Sequence, residues 1–308
     1  MAKLIIHDHD GHIDDLISLI LLWISPETDL QVVGITSGDS FVEEAFKASI
    51  KIATFLDLET VEIAQSNESA LNPFPESWRK ESSLVVDLPI FSQISHKRPY
   101  QDFKGRNSLV AYSDCLKHAN SKVTIVTTGP LTNIALLLEQ QPKLKDNIQE
   151  IIIMGGAINV PGNVEIDNFK HKAEWNIFAH PQAFRTVLNS GVHIKLIPLD
   201  VTNLFPLNKE LLISLEERGQ KSKAAKLALK LWSLVSSFEY YYWDTLTSVC
   251  AIKPDLFTFK EQKIDVVTSG SSMGRTYVSL FSGRHIEIAT QISKAAFEQV
   301  IIETLLMT

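Results

Sequence analysis

The sequence has few of the features that mark secreted, membrane-spanning or disulfide-rich proteins. Its 308 residues include only two cysteines, Cys115 and Cys250, which excludes a disulfide scaffold and is typical of a reducing compartment. The apolar run Leu16–Ile24 is too short to cross a bilayer. The first residues, MAKLIIHD, lack the pattern of a secretory signal peptide. We therefore expect a cytoplasmic protein.

Positive charge is also scarce. Lysine and arginine number 29 against 36 acidic residues, a net charge of -7, which argues against nucleic acid or an anionic membrane as partner. The hydrophobic content of 45% is that of an ordinary globular protein with a large core. No Pro/Gly/Ser-rich linker, internal repeat or low-complexity tract divides the chain. These observations predict a single domain over residues 1–308.

Apolar runs alternate with helical patterns along the chain. Several runs are continuous rather than alternating, as expected for strands that are buried on both faces. The alternation predicts an α/β fold with a mostly parallel central sheet and helices on both faces, a Rossmann-like core. The expected strands are Leu4–His7, Leu30–Ile35, Val61–Ala64, Val123–Thr127, Ile151–Met154 and Ile194–Leu199, and the expected helices are Asp14–Trp23, Val42–Leu56, Ser108–His118, Leu131–Leu138 and Pro181–Leu188.

Four further segments have less regular or different patterns. Residues 65–104 carry four prolines and predict a long, lid-like excursion. Residues 207–243 are predicted to be helical, Ile264–Leu280 to form a hairpin, and Ala289–Leu306 to form a closing helix.

Polar residues follow several of the predicted strands. Asp10 comes after the first, Asp39 after the second, Thr128 after the fourth, and Asn163 lies beyond the fifth. Ligands of open parallel sheets bind beyond the carboxyl ends of the strands. We therefore expect these distant residues to meet in one crevice.

The segment HDHDGHIDD places four carboxylates within eight residues, where an apolar strand gives way to an apolar helix. Asp8, Asp10, Asp14 and Asp15 would raise one another's pKa unless positive charge lay between them. Oxygen ligands favour a hard cation, calcium or magnesium. From this segment alone, a solvated acidic turn that caps a helix is an equal alternative.

A further carboxylate, Asp244, follows a run of aromatic residues in YYYWDTLTS. Burying it without a partner would be costly. A metal in contact with Asp10, Asp15 and Asp244 would account for both acidic sites together.

These motifs are similar to those of a known enzyme family. HDHDGHIDD, TTGPLTNIAL, MGGAINVPGNV and AEWNIF occur in the order found in the calcium-dependent nucleoside hydrolases, and together they span almost the whole chain. NPFPESWR and YYYWD resemble the purine-preferring branch, the inosine–adenosine–guanosine hydrolases. The resemblance implies hydrolysis of the N-glycosidic bond of purine ribonucleosides, a role in nucleoside salvage, and assembly as a homo-oligomer, either dimer or tetramer.

The resemblance also implies roles for individual residues. Calcium would be held by Asp10, Asp15, Asp244 and the carbonyl of Thr128, with Asp10 as general base for a calcium-activated water. Trp78 and Trp243 would stack on the leaving purine, because no histidine precedes Asp244 to protonate it. The implied substrate-binding residues are Asp14, Asp39, Met154, Asn163, Glu174, Trp175, Asn176 and His12. His12 stands where the purine-preferring branch usually has asparagine.

Two other functions remain open from the sequence. Asp8–His9–Asp10–Gly11 after a strand also resembles the start of a haloacid-dehalogenase-like magnesium phosphatase, although no later acidic pair completes that site. A non-catalytic, calcium-dependent nucleoside-binding protein is the other alternative, and its distinguishing feature would be loss of Asp10 or of a calcium ligand. Neither is lost here.

Overall fold

The protein is described by a computed structural model over residues 2–58, 61–94, 105–237 and 239–308. Its centre is a sheet in the order β3-β2-β1-β4-β5-β6-β9-β7-β8. The strands from β3 to β9 in this order run parallel, and β7 pairs antiparallel with both β9 and β8. The predicted α/β fold with a mostly parallel sheet is therefore confirmed.

The strands are β1 Lys3–His9, β2 Thr28–Ile35, β3 Glu62–Gln65, β4 Val123–Thr127, β5 Ile148–Met154, β6 Ile194–Ile197, β7 Phe257–Val266, β8 Thr276–Val278 and β9 Arg284–Ile292. The α-helices are α1 Ile13–Ile24, α2 Val42–Phe55, α3 Glu76–Ser82, α4 Ser108–His118, α5 Thr132–Gln140, α6 Trp175–Ala179, α7 Pro181–Asn189, α8 Leu199–Thr202, α9 Lys209–Arg218, α10 Lys223–Val235, α11 Trp243–Ile252 and α12 Lys294–Leu305.

The central strands are hydrophobic on both faces, which is why they read as continuous apolar runs. β4 is buried along its whole length, and one hydrophobic cluster lies on each side of the sheet. α1 packs within one cluster against α11, whereas α4, α5 and α7 contribute to the other. Helices cover both faces of the sheet. The loops beyond the carboxyl ends of the strands are left uncovered and can form a site.

The end of the chain differs from the sequence-based expectation. The closing helix begins at Lys294, and not at Ala289 as predicted. Residues up to Ile292 instead form β9, which pairs with β7 on one side and with β6 on the other. Pairing with two neighbouring strands, which local periodicity does not record, overrides the helical pattern there.

The other irregular segments match their predictions in part. The predicted hairpin is present as β7 and β8. The region 207–243 contains α9 and α10, with α11 starting at Trp243. The described part of the 65–104 excursion holds α3 and the 3₁₀ helices Ser83–Asp87 and Pro89–Gln93, while 95–104 lie outside the described residues. Within the described ranges, no helix is long and apolar enough to cross a membrane.

Candidate active site

A cavity of about 810 Å³ opens at the carboxyl ends of β1, β4 and β5. No lysine or arginine lines it among the described residues, although six acidic side chains do. Its lining residues are Asp10, His12, Ile13, Asp15, Asp39, Phe74, Trp78, Leu84, Thr128, Met154, Asn163, Glu174, Trp175, Asn176, Leu234, Val235, Ser237, Glu239, Tyr240, Trp243 and Asp244.

Asp10 lies directly beyond β1, and backbone groups hold its carboxylate. The amide of Asp39 donates a hydrogen bond to Asp10 Oδ2 at 3.0 Å. A side chain at Gly38 would place its Cβ only 2.0 Å from the same oxygen, so glycine permits this close approach. Gly11 follows with φ of +86°, and it turns the chain from β1 into α1. The segment is therefore built to present one fixed carboxylate at the end of the strand.

Asp15 is fixed from two sides. Its Oδ2 accepts a hydrogen bond from the His12 amide at 3.0 Å, and its Oδ1 accepts one from Thr128 Oγ1 at 2.6 Å. The Thr128 hydroxyl also contacts His7 Nε2 at 3.1 Å. Burial keeps the pKa of His7 well below its ordinary value, so the ring is neutral and can donate from Nε2 to the threonine oxygen. A buried histidine of β1 thus orients the residue that holds Asp15.

The remaining two carboxylates of the acidic segment lie outside the cavity lining. Asp8 is buried within the sheet and accepts a hydrogen bond from Asn133 Nδ2 at 3.1 Å. Burial raises the pKa of Asp8 to about 8. Asp14 Oδ2 accepts hydrogen bonds from the amides of Asp244 and Thr245, the latter at 2.9 Å, and Asp14 Oδ1 accepts one from the Thr245 hydroxyl. Asp14 therefore stabilises the start of α11 and positions Asp244, while its predicted contact with a ribose hydroxyl stays a prediction.

Asp10, Asp15 and Asp244 in the cavity have raised pKa values, because they are buried close to one another. Burial raises the pKa of Asp10 to about 6. Burial, together with the charges of Asp10 and Asp244, raises the pKa of Asp15 well above its ordinary value. The pKa of Asp244 is raised by burial first, and then by Asp14, Asp10 and other acidic neighbours. Repulsion of this kind is relieved by a bound cation.

The donor set fits a hard cation by its chemistry. Asp10, Asp15, Asp244 and the Thr128 carbonyl offer oxygen only, without sulfur or nitrogen. In the part of the chain that the structure describes, however, no three His, Cys, Asp or Glu side chains are close enough to form a metal site by themselves. The predicted ligand set therefore remains a prediction.

A second polar group lies after β5. Glu174 caps the start of α6: its Oε1 accepts from the Asn176 amide at 2.8 Å, and its Oε2 accepts from the amides of Gly156 and Ile177 at 3.0 and 3.1 Å. Burial nevertheless raises the pKa of Glu174 to about 7. The Asn176 side chain donates to the Thr128 carbonyl at 3.0 Å, which ties this group to the acidic one.

Two neighbours complete this polar group. Asn163 Oδ1 accepts a hydrogen bond from the Trp175 amide at 3.0 Å, so its amide nitrogen is the atom left for a ligand. Met154 ends β5 and is buried beside Asn176, with 3.4 Å between its sulfur and Asn176 Nδ2. Backbone amides therefore fix the carboxylate of Glu174 and the carbonyl of Asn163 before any substrate is present.

Aromatic side chains form two groups along the cavity. In one, Phe74 stacks on Trp175 with ring centroids 4.8 Å apart, and Trp78 meets Trp175 edge-on at 5.3 Å. In the other, Trp243 packs edge-on against Tyr240 at 5.0 Å. Flat apolar faces on two separate elements, α3 and α11, can enclose a planar ring.

His12 joins the second aromatic group to Asp39. Its Nδ1 lies 2.9 Å from the Tyr240 hydroxyl and 3.9 Å from Asp39 Oδ2. The Tyr240 hydroxyl also accepts a hydrogen bond from the Asp14 amide at 3.2 Å. The three side chains His12, Asp39 and Tyr240 thus form one polar cluster at the edge of the cavity.

The residues with predicted roles in metal binding, catalysis or substrate binding line this cavity, except for Asp14. The sequence reasoning did not identify His7, Phe74 or Tyr240. Tyr240 could have been found from the YYYWD motif, whereas the roles of His7 and Phe74 depend on which strands and helices are neighbours.

Comparisons with known proteins agree with one another. A family model described as inosine-uridine preferring nucleoside hydrolase matches residues 5–299. The non-specific ribonucleoside hydrolase RihC of Escherichia coli strain SE11 is 31% identical over 309 residues, which cover 97% of this chain and 96% of that protein. A crystal structure of an inosine-uridine preferring nucleoside hydrolase from Bacillus anthracis aligns with a TM-score of 0.90 at 29% identity, covering 99% of this chain and 100% of that one.

A more distant structure shares the fold. A purine-preferring ribonucleoside hydrolase from Gardnerella vaginalis aligns with a TM-score of 0.83 at 22% identity, covering 99% of this chain and 100% of that one.

Proposed function

The chain belongs to the nucleoside hydrolase family and is a nucleoside N-ribohydrolase, and from that premise we propose that it prefers purine ribonucleosides and depends on calcium. The observation that carries the proposal is the division of the cavity. One end is acidic and closely hydrogen-bonded, and the other is walled by Trp78, Trp175 and Trp243. A ribose suits the first end, and a flat base suits the second.

The family assignment also decides between the alternatives left open by the sequence. The family model covers nearly the whole chain, including segments that a haloacid-dehalogenase-like phosphatase would leave unexplained. The relatives are named as ribonucleoside or nucleoside hydrolases, so the phosphatase is set aside. The non-catalytic binding protein is set aside as well, because the chain retains Asp10 and every predicted calcium ligand.

At the acidic end, we assign calcium to Asp10, Asp15, Asp244 and the Thr128 carbonyl. When bound, such an ion supplies positive charge that lowers the pKa of a water molecule beside it. Asp10 accepts the proton of the attacking water, since its carboxylate is held in place by the Asp39 amide. Departure of the base leaves an oxocarbenium-like sugar, which the neighbouring carboxylates stabilise.

The ribose is held by hydrogen bonds that prearranged groups can make. Glu174 uses three backbone amides to fix its position, and a carboxylate has lone pairs left to accept from a 5′-hydroxyl. Asn163 would share that hydroxyl, and Asn176, Asp14 and Asp244 would take the 2′- and 3′-hydroxyls. Such contacts would orient the sugar and reject 2′-deoxy substrates.

The leaving base is assigned to the aromatic end. Stacking between Trp78 and Trp243 favours a purine as it gains positive character, because electron-rich faces attract cations. His12, Asp39 and Tyr240 lie at this edge, where they can meet the polar rim of the base. A pyrimidine offers less surface to both indoles, so we expect weaker transition-state binding.

A broader base range is the second candidate. The matching family model is named for inosine and uridine, and the E. coli relative is named non-specific. An enzyme of that kind would cleave uridine and inosine comparably.

The test is release of reducing sugar from inosine, guanosine, adenosine, uridine and cytidine, each with and without a calcium chelator. Purine values of kcat/KM at least about tenfold above the pyrimidine values, together with loss of activity under chelation, would support the proposal. Comparable values on uridine and inosine would favour the broader enzyme, and full activity with chelator would remove calcium from the mechanism.

A further inference from the structure

Trp78, which we assign to the leaving base, lies on a helix that is too short to hold it in place alone. α3 spans Glu76–Ser82, and seven residues are too few for a helix that is stable by itself in water. Trp78 is also 37% exposed, so the core does not enclose its ring. Contacts between α3 and the rest of the chain must therefore decide the direction in which this indole points.

The chain just before α3 is tied to α6. Asn72 Nδ2 donates a hydrogen bond to the Phe178 carbonyl at 2.7 Å, and the Asn72 amide donates one to the Ala179 carbonyl at 2.8 Å. Phe74 then stacks on Trp175 with ring centroids 4.8 Å apart. These contacts fix where α3 begins, but they do not by themselves set the rotation of the helix about its own axis.

The face of α3 turned away from the catalytic cavity borders open space. Trp78 lines the catalytic cavity, whereas its neighbour Arg79 lines a separate cavity of about 770 Å³, whose wall includes residues 41–44 at the start of α2. Consecutive residues of a helix point about 100° apart, so one short helix presents the two side chains to different cavities. Because of the space behind α3, close packing does not fix the helix on this side.

Arg79 spans this space and stacks on Phe41. Its guanidinium carbon Cζ lies 4.3 Å from the centre of the Phe41 ring, within the range of a cation–π contact. Arg79 Nε is buried and has no hydrogen-bond partner among the described residues. The two glutamates in the wall, Glu43 and Glu44, instead pair with Lys47 at 2.8 and 2.9 Å. The ring of Phe41 is therefore the contact that holds Arg79 on this side of α3.

Phe41 gives α3 a fixed point of reference. It directly precedes α2, and its carbonyl accepts the hydrogen bond of the Ala45 amide at 2.9 Å. Two residues earlier, the Asp39 amide holds the carboxylate of Asp10. The turn that places the proposed general base thus also places the ring on which Arg79 rests.

We propose that Arg79 is a positioning residue, whose stack on Phe41 sets the angle at which Trp78 meets the leaving base. The inference rests on the proposed function, since it concerns the same stacking of the base. Without the stack, α3 can lean into the space behind it, and the indole then overlaps less with the base. The loss would fall on substrates whose leaving group depends on stacking.

The experiment measures kcat and KM of the full chain, with calcium present, on inosine and on nitrophenyl riboside, whose leaving group needs no protonation. Arg79→Ala and Phe41→Leu each remove the stack, whereas Phe41→Tyr keeps an aromatic face. Lys80→Ala is the matched control, because Lys80 is a cation of the same helix that pairs with Glu76 of that helix at 2.7 Å. Arg79→Ala and Phe41→Leu are also made in a Trp78→Ala background. Thermal unfolding checks that every variant is folded.

We expect Arg79→Ala and Phe41→Leu to lower kcat/KM on inosine by about two- to tenfold, as for loss of a partly exposed cation–π contact. Their kinetics on nitrophenyl riboside should match those of the wild type, because Asp10 stays in place. In the Trp78→Ala background neither substitution should lower inosine hydrolysis further, since a residue that acts through Trp78 has nothing left to position. Lys80→Ala should match the wild type, and Phe41→Tyr should retain more activity than Phe41→Leu.

Four results would overturn the inference. The first is wild-type kinetics of Arg79→Ala on inosine while Trp78→Ala is impaired. The second is a loss that persists in the Trp78→Ala background, because Arg79 would then act by another route. The third is an equal loss in Phe41→Leu and Phe41→Tyr, and the fourth is an equal loss on both substrates. Wild-type kinetics of Trp78→Ala itself would overturn the inference together with the proposed stacking on Trp78, which distinguishes the two failures.

Discussion

The two ends of the catalytic cavity are built differently. At the acidic end, which we call the inner end, Asp10, Asp15 and Glu174 are almost fully buried. Backbone amides or a threonine hydroxyl hold each of these carboxylates. At the aromatic end, which we call the outer end, Trp78 is 37% exposed and Leu84 is 59% exposed. Both lie on short helices of the excursion after β3.

This difference separates two tasks. Asp10 stands at the end of β1, Asp15 on the first turn of α1 and Glu174 at the start of α6, and hydrogen bonds to buried groups fix each carboxylate. Trp78 and Leu84 lie on a loop-like excursion, where changes are tolerated more easily, whereas Trp243 begins α11. We infer that the inner end sets the reaction and the outer end sets the choice of base.

The strongest challenge to this division is Asp10→Asn. The exchange removes the proposed base, so we expect kcat on inosine to fall by about 10³-fold or more, at the upper part of the range for general bases. Initial rates of ribose release measure the effect. The matched control is Asp8→Asn on the same strand, since Asp8 lies outside the cavity and an amide oxygen can still accept from Asn133. Near-normal turnover of Asp10→Asn would remove Asp10 from the mechanism.

We expect calcium bound at the inner end to stabilise the folded protein as well as to support turnover. Ligand at 100 times its Kd stabilises a folded protein by about 2.7 kcal/mol, so Tm should rise on addition of calcium. Asp15→Asn should reduce that rise, and it should require more calcium for activity. Thermal unfolding at several calcium concentrations measures both. A Tm that is the same in calcium and in chelator would contradict a calcium site.

The outer end is tested by replacing Trp78 and Trp243 in turn and measuring each variant on two substrates that differ in their leaving group. Stacking on a base is worth about 1–3 kcal/mol, so Trp243→Ala should lower kcat/KM on inosine by about 5- to 150-fold. The loss should be smaller on nitrophenyl riboside, whose leaving group needs no protonation. Trp78→Ala should cost less than Trp243→Ala, because Trp78 is more exposed. Equal losses on both substrates would refute activation of the base by these indoles.

The smallest effect is expected at the boundary between the two ends. His12→Asn restores the residue usual in the purine-preferring branch and removes the contact with Tyr240. One hydrogen bond is worth about 0.5–1.5 kcal/mol, so kcat/KM on inosine should change by only about 2- to 12-fold. Kinetics with inosine and adenosine measure it, with Tyr240→Phe as the matched variant. A loss as large as that of Asp10→Asn would place His12 within the catalytic machinery.

The fold was predictable from local patterns because the central strands are buried on both faces. Continuous apolar runs marked β1, β2, β4 and β5 close to their observed limits. The pattern failed at Ala289–Ile292, since pairing with β7 and β6 decides that segment and lies outside the local sequence. The short helices α6 and α8 were also missed, because four or five residues carry too little periodicity.

Many of the residues that line the cavity were predictable from the sequence, but their arrangement was not. The ends of β1 and β4 indicated Asp10 and Thr128, and the motifs after β5 indicated Glu174 and Asn176. The sequence could not show that His7 orients Thr128, since this depends on β1 and β4 being neighbours in the sheet.

By itself, the sequence determined the α/β class, the place of the site beyond the strand ends, and the family. These follow from burial patterns and from motifs that are local along the chain. Only the tertiary structure assigned different roles to the four neighbouring aspartates. Asp8 lies in the core beside Asn133, Asp14 stabilises the start of α11, and Asp10 and Asp15 face the cavity. Their environments come from the packing of α5, α11 and β4 around β1, and no spacing within HDHDGHIDD records which of these elements each carboxylate meets.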